Sequence, residues 1–182
     1  MIPILLITIL ILQRISELGL ARKNEKVSKG KGGIEYGKSH YPYMVSMHTA
    51  FLLALAAEAL FVSEGLSPYW MILVPLIFLT QYVRYWAIRS LGSSWNTKII
   101  LLPEHDVTVI GPYRYFRHPN YAVVAAEILL IPLLFQAYIT AIVFTVLNAA
   151  MLTVRIRAEE KALKEHSDYL NAFRLRKNQL KP

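Results

Sequence analysis

Long stretches nearly free of charge alternate along this chain with short segments crowded with Lys and Arg. No other feature of the sequence constrains the fold as strongly. A soluble core distributes its apolar residues over amphipathic elements, whereas an apolar run of about 20 residues crosses a bilayer as a helix. Five runs are predicted as spans, at about 2–20, 43–61, 68–88, 119–135 and 137–154. The expected fold class is all-α: a polytopic integral membrane protein with five transmembrane helices, a loop before the fourth and a C-terminal helix. The 182 residues read as a single membrane-embedded domain.

The first span is the most interrupted, by Gln13, Arg14 and Glu17. Arg14 and Glu17 are three apart, so they can pair on one helix face while snorkelling to the interface. The run has no basic residue ahead of it and is long for a signal core, so a retained anchor is expected rather than a cleaved peptide. The last two spans are separated only around Gln136, which predicts a tight helical hairpin.

Charge then orients the bundle. The segment 22–42 carries Arg22, Lys23, Lys26, Lys29, Lys31 and Lys38, and the third connection carries Arg89, Lys98, Arg114 and Arg117. Eight more basic residues follow Val154, while the connection 62–67 and the turn at Gln136 have none. Lys and Arg concentrate in cytoplasmic loops, so the N-terminus is expected outside and the C-terminus inside the cell membrane. The formal charge of +8 suits anionic lipid head groups. No groove-reading motif accompanies it, which argues against nucleic acid. With no cysteine, disulfides and thiolate metal sites are excluded.

GGIEYGKS, residues 32–39, matches G-x-x-x-x-G-K-[ST] formally. That motif works only between a buried strand and a helix, whose N–H groups converge on phosphate. A lysine-rich run precedes it here, so residues 26–40 are read as a flexible cytoplasmic loop.

Two segments hold more polar chemistry than solvation requires. The first is LGSSWNTKIILLPEHDVTVIGPYRYFRHPNY, residues 91–121. Its middle, IILLPEHDVTVI, is apolar and β-branched but too short to span, and is expected as extended chain on the membrane face. Gly111-Pro112 turns the chain, Pro119 suits a first helical turn, and His118 before it is biased to extended backbone. The helix start at Asn120 and Tyr121 offers unpaired N–H groups. An interfacial belt of Tyr and Arg explains Tyr113, Arg114 and Tyr115, but not an apolar loop folded beside them or His118 at a helix start. The second segment is the exit from the fifth span, where Arg155 and Glu159 lie four apart on one face. Arg157, Glu160, Lys161 and Lys164 read as surface pairs, each contributing about 0.2–0.5 kcal/mol. Among deeper polar residues (His48, Glu58, Gln81, Glu127 and Asn148), Glu127 is the best candidate to line a substrate cavity, with a protonated interhelical partner as the alternative.

LGSSWN, GPYRYFRHPNY, Arg155 with Glu159-Glu160 and Leu163, then Tyr169 and the basic end together resemble the isoprenylcysteine carboxyl methyltransferase family over residues 91–176. RHPNY alone is shared with membrane sterol reductases; its combination with a helical hairpin and R-x-x-x-E-E is specific. The resemblance implies an enzyme that binds S-adenosylmethionine on the cytoplasmic side and methylates an oxygen of a lipophilic substrate. It makes the third connection a cytoplasmic cofactor-binding loop. It implicates Lys98, His105, Asp106, Val107, Thr108, Tyr113, His118, Pro119, Asn120, Tyr121 and Glu159 in holding the cofactor; Lys98 stands where relatives often have glutamine. Arg155 matches the arginine that faces the reacting carboxylate, and Arg155, Glu159 and Arg117 are the candidate catalytic residues, with Arg155 and Glu127 toward the substrate. The implied partners are membrane lipids and an acceptor from the bilayer, either prenylated or a long-chain alkylpyrone or resorcinol, and no metal is required. An NADPH-dependent membrane reductase and a lipid-binding scaffold are the alternatives.

Overall fold

The computed structural model describes residues 2–63, 65–102 and 110–166. Helix α1 runs Ile2–Gly30, α2 Tyr41–Phe61, α3 Trp70–Leu91, α4 Pro119–Leu134 and α5 Tyr138–His166. Strands β1 (Ile34–Tyr36) and β2 (Ile99–Leu101) form a two-stranded antiparallel ribbon with Glu35 opposite Ile100. Among the described residues, four helices are long and apolar enough to cross a membrane. The remaining one, α4, is a shorter apolar helix of 16 residues, about 24 Å long. The protein is therefore an all-α polytopic membrane protein with one short ribbon added.

Local chemistry explains the helix ends. Pro42 and Pro119 stand in the first turns of α2 and α4, where the missing N–H would be unpaired anyway. Gly92, at φ +53°, ends α3. Gly111 turns the chain back at φ +58°, where an added Cβ would lie 2.0 Å from the Ser90 Oγ. The expected hairpin between α4 and α5 is present: Gln136 takes φ +55°, and the Ala137 N–H donates to the Pro132 carbonyl at 2.9 Å.

One expectation is corrected. Residues 26–40 are not a flexible loop throughout, because α1 continues to Gly30 and residues 34–36 pair with 99–101. The apolar 99–101 stretch supplies a β-branched partner strand, and Lys29 and Lys98 both bind Glu35 across the ribbon's base, at 2.8 and 3.6 Å. The exit of the fifth span is helical, with α5 running unbroken through Arg155 and Glu159.

The basic connections gather at one end of the bundle. There the Asn24 amide of α1 donates to the carbonyls of Gly92 (3.1 Å) and Trp95 (2.8 Å), and the hydroxyls of Tyr41 and Thr97 lie 3.2 Å apart. At the opposite end, Ser67 N–H donates to the Leu134 carbonyl at 2.9 Å. The Glu58 carboxylate accepts from the Ile139 and Thr140 N–H groups, capping α5 from another helix. Helices α2 and α5 are antiparallel neighbours, meeting at Glu58–Thr140, Phe51–Phe144 and Met44–Arg155. The core between them holds Phe51, Leu55, Leu73, Ile128, Ile131 and Phe135. Large apolar side chains also cover the outside: Phe61 is 85% exposed and Ile139 68%. Such a surface is tolerable only where hydrocarbon replaces water.

Candidate functional site

Tyr121, Arg155, Glu159, His118, Asn120 and Tyr113 come together at the basic end, where the start of α4 meets the inner face of α5. The Tyr121 hydroxyl is the meeting point. It donates to Glu159 Oε2 and accepts from Arg155 Nε at 2.8 Å. The Arg155 guanidinium also lies over the Tyr121 ring, 5.4 Å from its centroid, within range of a cation–π attraction. Arg155 is buried, at 6% exposure. Its Nη2 donates to the Thr97 carbonyl and its Nη1 meets the Met44 sulfur at 2.8 Å. Three segments, α2, the loop before β2 and α4, thus fix one guanidinium of α5.

His118 forms the wall beside it. Its ring stacks on Tyr121 with centroids 5.3 Å apart. Its Nδ1 lies 3.7 Å from Glu159 and its Nε2 3.4 Å from Glu160. Arg117 approaches Glu160 at 3.7 Å from a half-exposed position. Asn120 donates to the Tyr113 hydroxyl at 2.6 Å. Burial, and then the nearby Glu159 charge, push the Tyr113 hydroxyl well above the ordinary phenol range, so it remains neutral at this site. Pro119 is fully buried at the helix start, and His118, the N-cap, makes no side-chain cap. Glu159 and Glu160 stay partly open, at 28% and 27% exposure. His105, Asp106, Val107 and Thr108 lie outside the described residues.

Lys98 is engaged from the other side. It binds Glu25 at 2.7 Å and Glu35 at 3.6 Å, over the Tyr41 ring. The hydrogen bond to Glu25 holds its ammonium above the usual lysine value. Its neighbour Thr97 supplies the carbonyl to Arg155, so the ribbon's ion pairs brace the arginine through one peptide unit.

Glu127 is corrected on geometry. It is 2% exposed, and its oxygens accept from Arg14, from Arg84 Nε at 2.9 Å and Nη2, and from Gln81 at 2.7 Å. Glu17 completes the set, bonded to Arg14 at 2.8 Å and Arg84 at 3.0 Å. The carboxylate has no free lone pair facing a cavity, nor is it a lone protonated partner. Arg14 and Glu17 do pair as expected, yet they turn inward to α3 and α4 instead of snorkelling. A buried guanidinium, Arg84, and a partly buried one, Arg14, demand two carboxylates, which decides the matter.

Sequence reasoning passed over several participants. Glu160, read as a surface charge, reaches His118 and Arg117. Thr97, Tyr41 and Met44 carry no chemical signature, so nothing short of the fold could find them. Arg84 did carry a signal: a charge inside an apolar span needs a counter-charge nearby.

A family model described as isoprenylcysteine carboxyl methyltransferase (ICMT) matches residues 71–165. An uncharacterized protein of Bacillus subtilis, YpbQ, is 53% identical over 163 residues, covering 90% of this chain and 97% of that protein. An uncharacterized protein of Haemophilus influenzae is 30% identical over 151 residues, covering 82% and 88% respectively. No solved structure matches.

Proposed function

The chain belongs to the isoprenylcysteine carboxyl methyltransferase family, and from that premise we propose that it is an S-adenosylmethionine-dependent O-methyltransferase for a lipophilic acceptor drawn from the bilayer. Family membership supports a membrane methyltransferase. The observation that carries the finer reading is the Tyr121 hydroxyl shared between Arg155 and Glu159. Through it the RHPNY helix start and the R-x-x-x-E turn of α5 close on one point.

The residues suit a small molecule with a flat neutral base at one end and a sulfonium beside a zwitterionic amino-acid group at the other. Glu159 and Glu160 are partly open carboxylates that would attract its positive groups. The stacked rings of His118 and Tyr121 offer an aromatic wall for a flat base or a cation. In the first turn of α4 the Tyr121 N–H already donates to the His118 carbonyl at 3.1 Å and Pro119 has no N–H, so the Asn120 N–H is the group that would meet a carboxylate. When bound, the sulfonium cofactor supplies an electrophilic methyl group. The chain's own work is alignment and electrostatics. Arg155, immobilised on three sides, would hold an anionic acceptor oxygen by a charge-assisted hydrogen bond. The acceptor is a carboxylate or an acidic hydroxyl on a long apolar body, prenylated or of the alkylpyrone or resorcinol kind.

The test is a titration of the purified full chain in detergent with labelled S-adenosylmethionine and, separately, NADPH. Saturable sulfonium binding that weakens at least tenfold in Glu159→Gln is expected. Arg155→Ala should keep that affinity within about threefold while losing turnover on a lipid extract. Binding of NADPH alone would overturn the reading.

A further inference from the structure

The three nitrogens of Arg155 are not equally matched. Nε donates to the Tyr121 hydroxyl at 2.8 Å and Nη2 to the Thr97 carbonyl, both oxygen acceptors. Both of those partners are themselves held: Tyr121 donates to Glu159, and the Thr97 hydroxyl lies 3.2 Å from that of Tyr41. Nη1 differs. Among the described residues it meets only the Met44 sulfur, at 2.8 Å, and a thioether is a weak acceptor. The guanidinium is 6% exposed, so water does not make up the difference. A buried charged donor without a strong acceptor is costly and favours a ligand that brings one.

Met44 is also the partner best able to leave. It stands half-buried in the first turn of α2, between Tyr43 and Val45, which are 71% and 43% exposed. Met47, one turn on, packs against the core, whereas Met44 packs on the guanidinium. Its backbone N–H is bonded to the His40 carbonyl at 3.1 Å, so the main chain stays anchored whatever the side chain does. An unbranched side chain with three rotatable bonds repacks at little cost. A leucine here would offer Nη1 no partner in the empty site, and a glutamine would offer an oxygen hard to displace.

Resting on the methyltransferase reading, we infer that Met44 is a specificity-determining residue: its sulfur occupies the place on Arg155 Nη1 that the acceptor's oxygen takes, and the acceptor displaces it. Exchange of a thioether for an anionic oxygen turns a weak contact into a charge-assisted hydrogen bond. Nε and Nη2 keep their partners meanwhile, so the guanidinium plane does not move. The opposite role is a brace, in which the sulfur pins the guanidinium and the acceptor binds elsewhere. The two roles predict opposite effects when the sulfur is replaced by a stronger acceptor or by none.

The experiment uses the full chain in detergent, saturated with S-adenosylmethionine, with its methionine methyl groups labelled with carbon-13. The probe is dodecanoate, a single oxyanion on an apolar tail. The chain has five methionines, and the Met44 signal is assigned by its loss in Met44→Leu. Dodecanoate should shift that signal in the wild type, and Arg155→Ala should abolish both shift and binding. Met44→Gln should weaken dodecanoate binding about tenfold and Met44→Leu should tighten it about threefold, with cofactor affinity within about twofold in both. On the lipid that the extract assay labels, the same order should appear in KM, with kcat moved less. A Met44 signal unmoved at saturating dodecanoate overturns the inference, even if a variant fails to fold. So does a lack of dodecanoate binding to the wild type, or tighter binding in Met44→Gln with weaker binding in Met44→Leu, which is the signature of a brace. Absence of sulfonium binding in the wild type, by contrast, defeats the underlying methyltransferase reading.

Discussion

One hydroxyl, that of Tyr121, holds together the two residues that matter most. A phenol between a guanidinium and a carboxylate donates to one and accepts from the other, so it sets the position of both without adding charge. Hydrogen bonds to charged groups contribute about 1.5–3 kcal/mol. Tyr121→Phe keeps the ring under Arg155 and the stack on His118 but removes both bonds. Turnover should fall roughly 10- to 100-fold, which corresponds to about 1.4–2.7 kcal/mol of transition-state stabilisation. Cofactor affinity should weaken only a few-fold, because Glu159 stays in place. Kinetics on the identified acceptor, with calorimetry for the cofactor, would check this; an unchanged rate would mean that Thr97 and Met44 suffice to hold the arginine.

The helices show what charge does when buried between elements. Arg14 and Glu17 on α1, Arg84 on α3 and Glu127 on α4 sum to zero, two positive and two negative. Breaking one buried pair typically costs about 3–5 kcal/mol, because the remaining partner is stranded. Glu127→Gln leaves one excess positive charge among three helices and should lower the unfolding free energy in mixed micelles by that amount. Adding Arg14→Gln restores neutrality and should recover most of the loss, a coupling that a double-mutant cycle reads directly. Simple additivity would show that the four side chains are solvated. The pattern of apolar runs was enough to find the five α-helices among the described residues, since hydropathy reports what touches lipid. It could not tell that Arg14 faces inward, because snorkelling and pairing look the same until the neighbouring helix is known. RHPNY and R-x-x-x-E-E marked the site's polar residues for the same reason that the runs marked spans: their chemistry is local. Met44, Thr97 and the ribbon at 34–36 depend on contacts between segments from 58 to 111 residues apart, and no local pattern encodes those.

At the scale of the whole molecule, the proposed chemistry requires that one face of the bundle meet the cytosol. The contacts already sort the connections: 22–40, 92–102 and the end of α5 meet at one end, and 62–67 with Gln136 at the other. Lys and Arg gather at the first end alone among these connections, and basic segments stay on the cytoplasmic side. The chain has no cysteine, so single cysteines can be introduced without background. Cysteine at Ser39 or Lys164 should resist a membrane-impermeant maleimide in intact cells and react after lysis. Cysteine at Ser63 or Gln136 should react in intact cells. Inversion of the whole pattern would put the site outside, where the cofactor is not made, and would refute the methyltransferase reading. A split result, with Ser39 inside and Lys164 outside, would contradict the fold itself, because Thr97 and Tyr121 could not then share one arginine.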